Sequence, residues 1–474
     1  MRIVALLLAM LMVACASPSY PGIDNPTPGG GPDNQNIIAY IDQRLEEEYY
    51  WLDEVLVKGG SFNRHMAWDS YLPAALARLS TNSDDGYIKS NGQRAFYSYI
   101  RKSNDTTRAT EEGFGIELHY TIAVIDKDNG HYGFIVESIF PASPAEAAGM
   151  RRGDIITMVD GNSITHSNYA TLFNKIQNNS SQSLRMHYRR QTDGQSYAAT
   201  LERAAYSPTT VIHSSILDIE GFNKRIGYLA YTSFERDYDA ELIAALEQMA
   251  QEGVEELILD LRCNGGGALS SAVTLTSALL PADYEGKMLC CVRRNPKNTI
   301  SETESTFLLK NTGSALNLRN VTIICSGYSA SASELIIMGL RGLDIPVMLI
   351  GTTTEGKNCG MDVTRRKIGN TYYEYAPITF MCFNAKGFGE WGEGITPDIV
   401  LTEDNTYGIK DSLYPMPRCP WGDLNNDIAL KVAVAHITGT PVASTRHTEA
   451  LTPTATIEIE RQQQGICIYA EREE

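Results

Sequence analysis

Residues 256–261 read ELILDL and run straight into RCNGGG at 262–267. An apolar run of strand length that stops at a glycine turn is the pattern of a strand buried on both faces. Upstream, IGYLAY at 226–231 is a second such strand, followed by a helix on which Leu242, Ile243, Leu246, Met249 and Ala250 share a face. Downstream come a helix to about Leu280, the strand VTIIC at 321–325, a helix from about Ala332 and the strand VMLIG at 347–351. Apolar strands alternating with amphipathic helices predict a parallel sheet built through right-handed crossovers. Three segments follow the C-terminal ends of these strands: DLRCNGGG (260–267), SGYSASASE (326–334) and TTTEGKNCG (352–360). In open α/β sheets that edge is where ligands bind.

The residue types in these segments narrow the chemistry. Ser331 and Glu334 together spell a helix capping box, and a serine at a helix start also sits beside free N–H groups that favour a developing anion. A serine hydroxyl needs a base to become a nucleophile. The histidines, at 65, 119, 131, 166, 187, 213, 436 and 447, all fall outside the three segments, so nothing points to a Ser/His/Asp triad. A solvated lysine, with a pKa of about 10.4, stays protonated at neutral pH; a lysine acting as a base has to be desolvated. VMLIG and Met361 are the apolar flanks that such a pocket around Lys357 requires. No cofactor motif or metal site is legible: DLNND (423–427) lacks the glycine and distal glutamate of a calcium loop and reads as a cap before the helix IALKVAVAHI.

The ordered set of segments resembles the C-terminal-processing (tail-specific) serine peptidases over roughly residues 112–402, with GEGITPDIV (392–400) as the closing segment. The resemblance implies a multidomain α/β chain: a crotonase-like peptidase core with a PDZ-like β domain and, here, an N-terminal helical region. It also implies endopeptidase activity near substrate C-termini, with Ser331 as nucleophile and Lys357 as base. The oxyanion donors it implies are the N–H groups of Ala332 and Gly266, with Gly265 or Gly267 as alternatives to Gly266. The family's glutamine four residues after the lysine is replaced by Met361, so the amine needs another partner, for which Asn358 and backbone carbonyls are at hand. The competing reading is a catalytically silent peptide-binding protein on the same scaffold.

Between Glu112 and about Ala205 the pattern is of short strands. Asn129-Gly130 between two strand-like runs is a hairpin signal, and SPAEAAGMRRGDIITMVDG (143–161) resembles a bacterial PDZ domain. In it Pro144 opens a short helix and Gly149 ends it. By that resemblance the loop Gly113, Phe114, Gly115, Ile116 receives a peptide carboxylate before an edge strand pairs with the peptide; a module that only packs against the core is the alternative.

At the N-terminus Arg2 precedes an apolar run from Ile3 to Ala14 that is too short to span a membrane, and Ala14-Cys15 resembles a lipobox in which Cys15 is acylated. These features predict a lipid-anchored protein of the cell envelope; a signal peptide cleaved elsewhere is the alternative. The formal charge of −17, or −18 from Cys15 onward once Arg2 is removed, argues against nucleic acid as a partner. The predicted organisation is a signal peptide (1–14), a Pro/Gly-rich tether (15–36), a helical region (37–105), the PDZ-like domain (106–207), the peptidase core (208–404) and a C-terminal extension (405–474). Ile38, Ile41, Leu45, Tyr49 and Leu52 form the face of the first helical stretch, which reads as helical to about Ile100. Tyr49, Tyr50 and Trp51 read as packed core. TATIEIE and GICIYAE, beyond Thr440, read as a terminal hairpin.

Overall fold

The computed structural model describes residues 32–88, 92–103, 111–126, 128–177, 181–312, 316–401, 419–440, 455–458 and 467–471. Cys15, the apolar run before it and most of the tether lie outside these residues. Among the described residues no helix is long and apolar enough to cross a membrane.

The run at 256–261 belongs to the strand Val254–Asp260, inside a six-stranded sheet. Its order is Val211–Leu217, Arg225–Tyr231, Val254–Asp260, Val321–Cys325, Val347–Gly351, Ile399–Val400. The first pair is antiparallel and the rest are parallel. Successive side chains on a strand point to opposite faces, and here both faces are covered. Leu257, Leu259, Ile323 and Leu349 pack with the helices Asp239–Gln251, Leu269–Leu279 and Ala332–Gly342. Ile258, Ile324 and Ile350 pack instead with the helix Ile428–Thr438. This two-sided burial is why the strands read as unbroken apolar runs. Asp427 caps that last helix, accepting from Leu430 N–H at 3.1 Å.

The N-terminal helices Pro32–Glu48, Leu52–Lys58 and Trp68–Leu76 bury the face read from the sequence, with Ile38, Ile41, Leu45, Tyr49 and Leu52 all fully enclosed. Tyr49 and Trp51 pack ring to ring at 5.4 Å. The helical pattern does not continue to Ile100. After Leu76 the chain turns to short strands, and Tyr99–Ser103 pairs antiparallel with Thr371–Ala376. Aromatic and β-branched residues such as Phe96, Tyr97, Tyr99 and Ile100 suit a half-buried sheet better than a helix face, and the core offers them an open strand.

The PDZ sheet runs Ser196–Glu202, Ser183–Arg189, Ile155–Val159, His131–Ile139, Ile116–Asp126 and then Ala455–Glu458. The Asn129-Gly130 turn joins two antiparallel strands with Gly130 at φ 65°, and Pro144–Ala147 is the short helix, capped by Ser143 Oγ accepting from Glu146 N–H at 3.2 Å. The terminal hairpin does not form. Its first arm, Ala455–Glu458, pairs with the PDZ strand Ile116–Asp126, and its second, Cys467–Glu471, lies between Gly266–Ala268 and Cys359–Ile368 of a second sheet. Both destinations expose unpaired backbone groups to any strand that can reach them, and these win over pairing of the two arms with each other.

Candidate active site

The three glycine- and serine-bearing segments converge at the C-terminal edge of the six-stranded sheet, held there mainly through backbone carbonyls. Ser326 Oγ donates to Arg262 O at 2.5 Å and Ser329 Oγ to Leu261 O at 2.7 Å. Asn264 O accepts from Ala330 N–H at 3.2 Å and from Ser333 Oγ at 2.9 Å. These bonds seat the serine loop directly on the glycine loop.

Ser331 stands immediately before the helix Ala332–Gly342 with φ 61° and ψ −110°. A non-glycine residue in that region stores about 1–3 kcal/mol of strain and persists only where its surroundings impose it. Here a strand, a tight turn carrying serine and a helix follow in order, the arrangement that presents a serine hydroxyl at the top of a sheet. Both halves of the capping box are in place: Glu334 Oε2 accepts from Ser331 N–H at 2.8 Å, and Ser331 Oγ faces the Glu334 backbone, but this buried hydroxyl makes no hydrogen bond of its own. Ala332 N–H, the first of the helix, points from the same turn.

Glu334 does more than cap. Its Oε2 also accepts from Lys357 N–H at 2.9 Å, while Oε1 accepts from Thr354 Oγ1 at 2.6 Å and Gly356 N–H at 2.8 Å. One carboxylate oxygen therefore fixes the backbones of both Ser331 and Lys357. Burial pushes the Glu334 carboxyl up to about 7, against the pull of these four donors.

Lys357 is 1% exposed. Its Nζ lies 4.4 Å above the Tyr97 ring, a cation–π distance. Its charge also reaches Asp85, a buried carboxyl that burial raises and that bonds from Ser98 and Tyr49, together with Lys357, pull back down. Tyr49 Oη donates to Asp85 Oδ2 at 2.7 Å, and Tyr97 N–H and Ser98 N–H donate to Oδ1 at 3.0 and 2.9 Å. The N-terminal region thus lines one side of the lysine pocket. Asn358, the partner suggested by adjacency, donates its amide to Gly389 O at 2.7 Å instead. Met361 is buried in the same apolar cluster as Tyr97 and Tyr375.

In the glycine loop, Gly266 N–H donates to Asn264 Oδ1 at 2.9 Å, so in this arrangement it is not free for a ligand. The Asn264 side chain closes a local turn that the sequence motif did not disclose. Gly267 has φ 141°, and a Cβ there would come 2.1 Å from Phe234 O; only glycine lets the loop lie against that carbonyl.

In the PDZ module, Gly113 pairs with Ala204, Phe114 O accepts from Ala145 N–H at 3.0 Å, and Ile116 pairs with Ile139. Gly115 has φ 70° with Ser143 Cβ at 2.1 Å from any added Cβ. The loop thus nests under the short helix at the head of the strand Ile116–Asp126. The module also touches the core loops directly. Arg152 and Cys263 both bond Glu137 Oε1, at 2.9 and 3.1 Å, and the His119 ring meets Tyr328 edge-on at 5.1 Å. It therefore packs against the core whether or not it also reads a peptide.

Residues 225–401 match peptidase family S41, and residues 135–190 match the PDZ domain. The core at residues 225–401 is thus similar to the S41 peptidases. It is 25% identical over 333 residues, 70% of its length, to a "Probable CtpA-like serine protease" of Staphylococcus aureus (strain N315). It is 23% identical over 359 residues, 73% of its length, to the protein of that name in Staphylococcus haemolyticus (strain JCSC1435). These alignments take in 62% and 66% of the relatives' own lengths, so the chain spans about two thirds or less of them. A crystal structure of a Bacteroides fragilis NCTC 9343 chain described as an S41 protease superposes with a TM-score of 0.64 at 22% identity, covering 84% of this chain and 97% of that one. This likeness supports the S41 fold. The S41 match takes in all three core segments, and the PDZ match begins inside the strand His131–Ile139 that follows the strand Ile116–Asp126.

Proposed function

We propose that this chain is a serine endopeptidase in which Ser331 attacks the peptide carbonyl and Lys357 takes the hydroxyl proton. The observation that carries the reading is a buried, unbonded Ser331 Oγ on a strained turn, with its backbone and that of Lys357 clamped to one carboxylate oxygen. An unpaired buried hydroxyl is costly in a merely structural role, and the cost makes sense when the hydroxyl is kept for a substrate. Ala332 N–H is one oxyanion donor; Gly266 N–H is the second once Asn264 Oδ1 releases it. A serine-reactive fluorophosphonate labels the native protein and leaves Ser331→Ala unlabelled; a wild-type protein that stays unlabelled between about pH 7 and 9 removes the reading.

The same proposal has the PDZ loop at Gly113–Ile116 receive the carboxylate of a substrate tail, so that cleavage falls near C-termini. Peptides ending in small or apolar residues with a free carboxylate are then cleaved faster than their C-terminal amides, about tenfold or more by kcat/KM, since a charge-assisted bond to loop N–H groups is worth about 1.5–3 kcal/mol. Equal rates for acid and amide mean that the loop does not read the carboxylate.

For location, the lipobox-like Ala14-Cys15 supports a protein anchored by lipid at Cys15 in the cell envelope, facing the periplasm or exterior. Fractionation checks this: Cys15→Ser moves the protein from membrane to soluble fraction, and a wild-type protein already soluble after export rules the anchor out. The silent-binder alternative draws on the same unengaged Ser331 Oγ and on Gly266 N–H being occupied, both of which an enzyme with an occupied cleft shares.

A further inference from the structure

Two short strands from one stretch of chain lie in the two places where a peptide substrate would be expected to lie. Ala455–Glu458 runs antiparallel along the PDZ strand that follows the Gly113–Ile116 loop, pairing Ala455 with Val124, Thr456 with Ala123, Ile457 with Ile122 and Glu458 with Thr121. That is the edge, and the direction, in which a peptide would add to the sheet with its later residues nearer the loop. Cys467–Glu471 fills the slot between the other two catalytic segments. Cys467 stands opposite Gly266, Ile468 opposite Gly267, and Tyr469 opposite both Ala268 and Met361. Its neighbours are thus the glycine loop on one side and, on the other, a strand that starts two residues after Lys357.

We propose that the strands Ala455–Glu458 and Cys467–Glu471 are a built-in pseudo-substrate, and that substrate peptides must displace them to reach the PDZ edge and the cleft. The inference rests on the peptidase reading for its cleft half, while its binding half stands on the strand pairing alone. Two features make the segment displaceable. The strands are short, four and five residues long. The Gly266–Ala268 strand also keeps its place without them, because Phe234 N–H donates to Gly266 O at 2.9 Å and Ala268 N–H donates to Phe234 O at 2.6 Å. A tethered competitor acts at high effective concentration and lowers apparent affinity in proportion to the fraction of time it occupies the site.

The test compares the full chain with a version lacking residues 441–474, using a fluorescent peptide with a free apolar C-terminus. Binding is read by anisotropy in the Ser331→Ala background and hydrolysis in the active background. The expected result is at least about tenfold tighter binding and a similar fall in KM on truncation, with a synthetic 455–471 peptide reversing both. Tighter binding with no hydrolysis in either form keeps the pseudo-substrate and removes the peptidase reading. Unchanged binding and unchanged KM overturn the pseudo-substrate and leave the peptidase reading intact.

Should truncation unfold the protein, point variants within the full chain give the same measurement. In Cys467–Glu471, Tyr469 is paired on both sides, so Tyr469→Pro removes a ladder donor whichever way it points. In Ala455–Glu458, paired on one side, adjacent N–H groups alternate, so the double change Thr456→Pro/Ile457→Pro removes at least one inward donor. A folded proline variant with wild-type binding and KM counts against the proposal, and one with the tenfold gain supports it.

Discussion

Ser331→Ala removes peptide hydrolysis while the protein melts at or slightly above the wild-type temperature. Activity falls because the attacking oxygen is gone, a loss of several orders of magnitude in kcat. Stability does not fall because that oxygen bonds nothing: deleting a buried hydroxyl without a partner removes a desolvation cost rather than an interaction. Lys357→Met is the matching change at the base. Methionine keeps most of the volume of a buried, unbranched side chain, whereas alanine would add a cavity; either change takes the Lys357 charge away from Asp85. General-base catalysis is worth about 10²–10⁴-fold, so Lys357→Met loses at least that much. The double variant loses no more than Ser331→Ala alone, because the pair acts as a unit. Steady-state hydrolysis of an acid-ended peptide decides the matter: Lys357→Met turnover within about tenfold of wild type would exclude Lys357 as the base.

The sequence disclosed the scaffold of this site because both of its causes are local. Two-sided burial makes the sheet strands read as unbroken apolar runs, and the glycine and serine turns after 261, 325 and 351 interrupt them at the points where the loops begin. What it did not disclose depends on chain segments far apart in sequence. Asp85 and Tyr97 lie more than 250 residues before Lys357, and nothing in DDGY or AFYS marks them as lining a lysine pocket. Glu334 was visible as half of a capping box, but that the same carboxylate reaches across to Thr354, Gly356 and Lys357 is a tertiary fact. The two late strands were recognisable as strands; their partners were not, since pairing preference says little about which exposed edge a strand finds. Gly266 illustrates a different limit: the glycines were legible as a turn, but a neighbouring asparagine side chain decides which N–H is free.

The largest loss of stability expected from any single change near the site is at Arg262. Its guanidinium is among the most completely buried side chains of the protein. It bonds Asp260 through Nε at 2.9 Å and Asp427 through Nη2 at 2.7 Å, while Tyr228 Oη adds a bond to Asp260 at 2.8 Å. This links the end of a central strand to the cap of the helix on the opposite face. The Arg262 carbonyl meanwhile receives the Ser326 hydroxyl, so the ion cluster also anchors the serine loop. Burial alone would raise the Asp427 carboxyl, but the charge and bonds of Arg262 hold it below its ordinary value. A carboxyl depressed in the folded state contributes stability above its unfolded pKa, about 3.9, and that contribution is lost as the pH falls through the folded value. Arg262→Met inverts the sign. Asp427 then loses the guanidinium that held its carboxyl down, its folded pKa rises, and the variant is least unstable in acid and loses stability as the pH climbs. At pH 7 the expected cost is about 3–5 kcal/mol, the range for removing one partner of a buried ion pair. Denaturant unfolding of wild type and Arg262→Met at pH 7 and pH 5 measures it: the gap between them narrows at pH 5, and adding Asp427→Asn to Arg262→Met recovers part of the loss. A gap under about 1 kcal/mol at pH 7, or one that widens in acid, would show that the cluster does not hold the glycine and serine loops together.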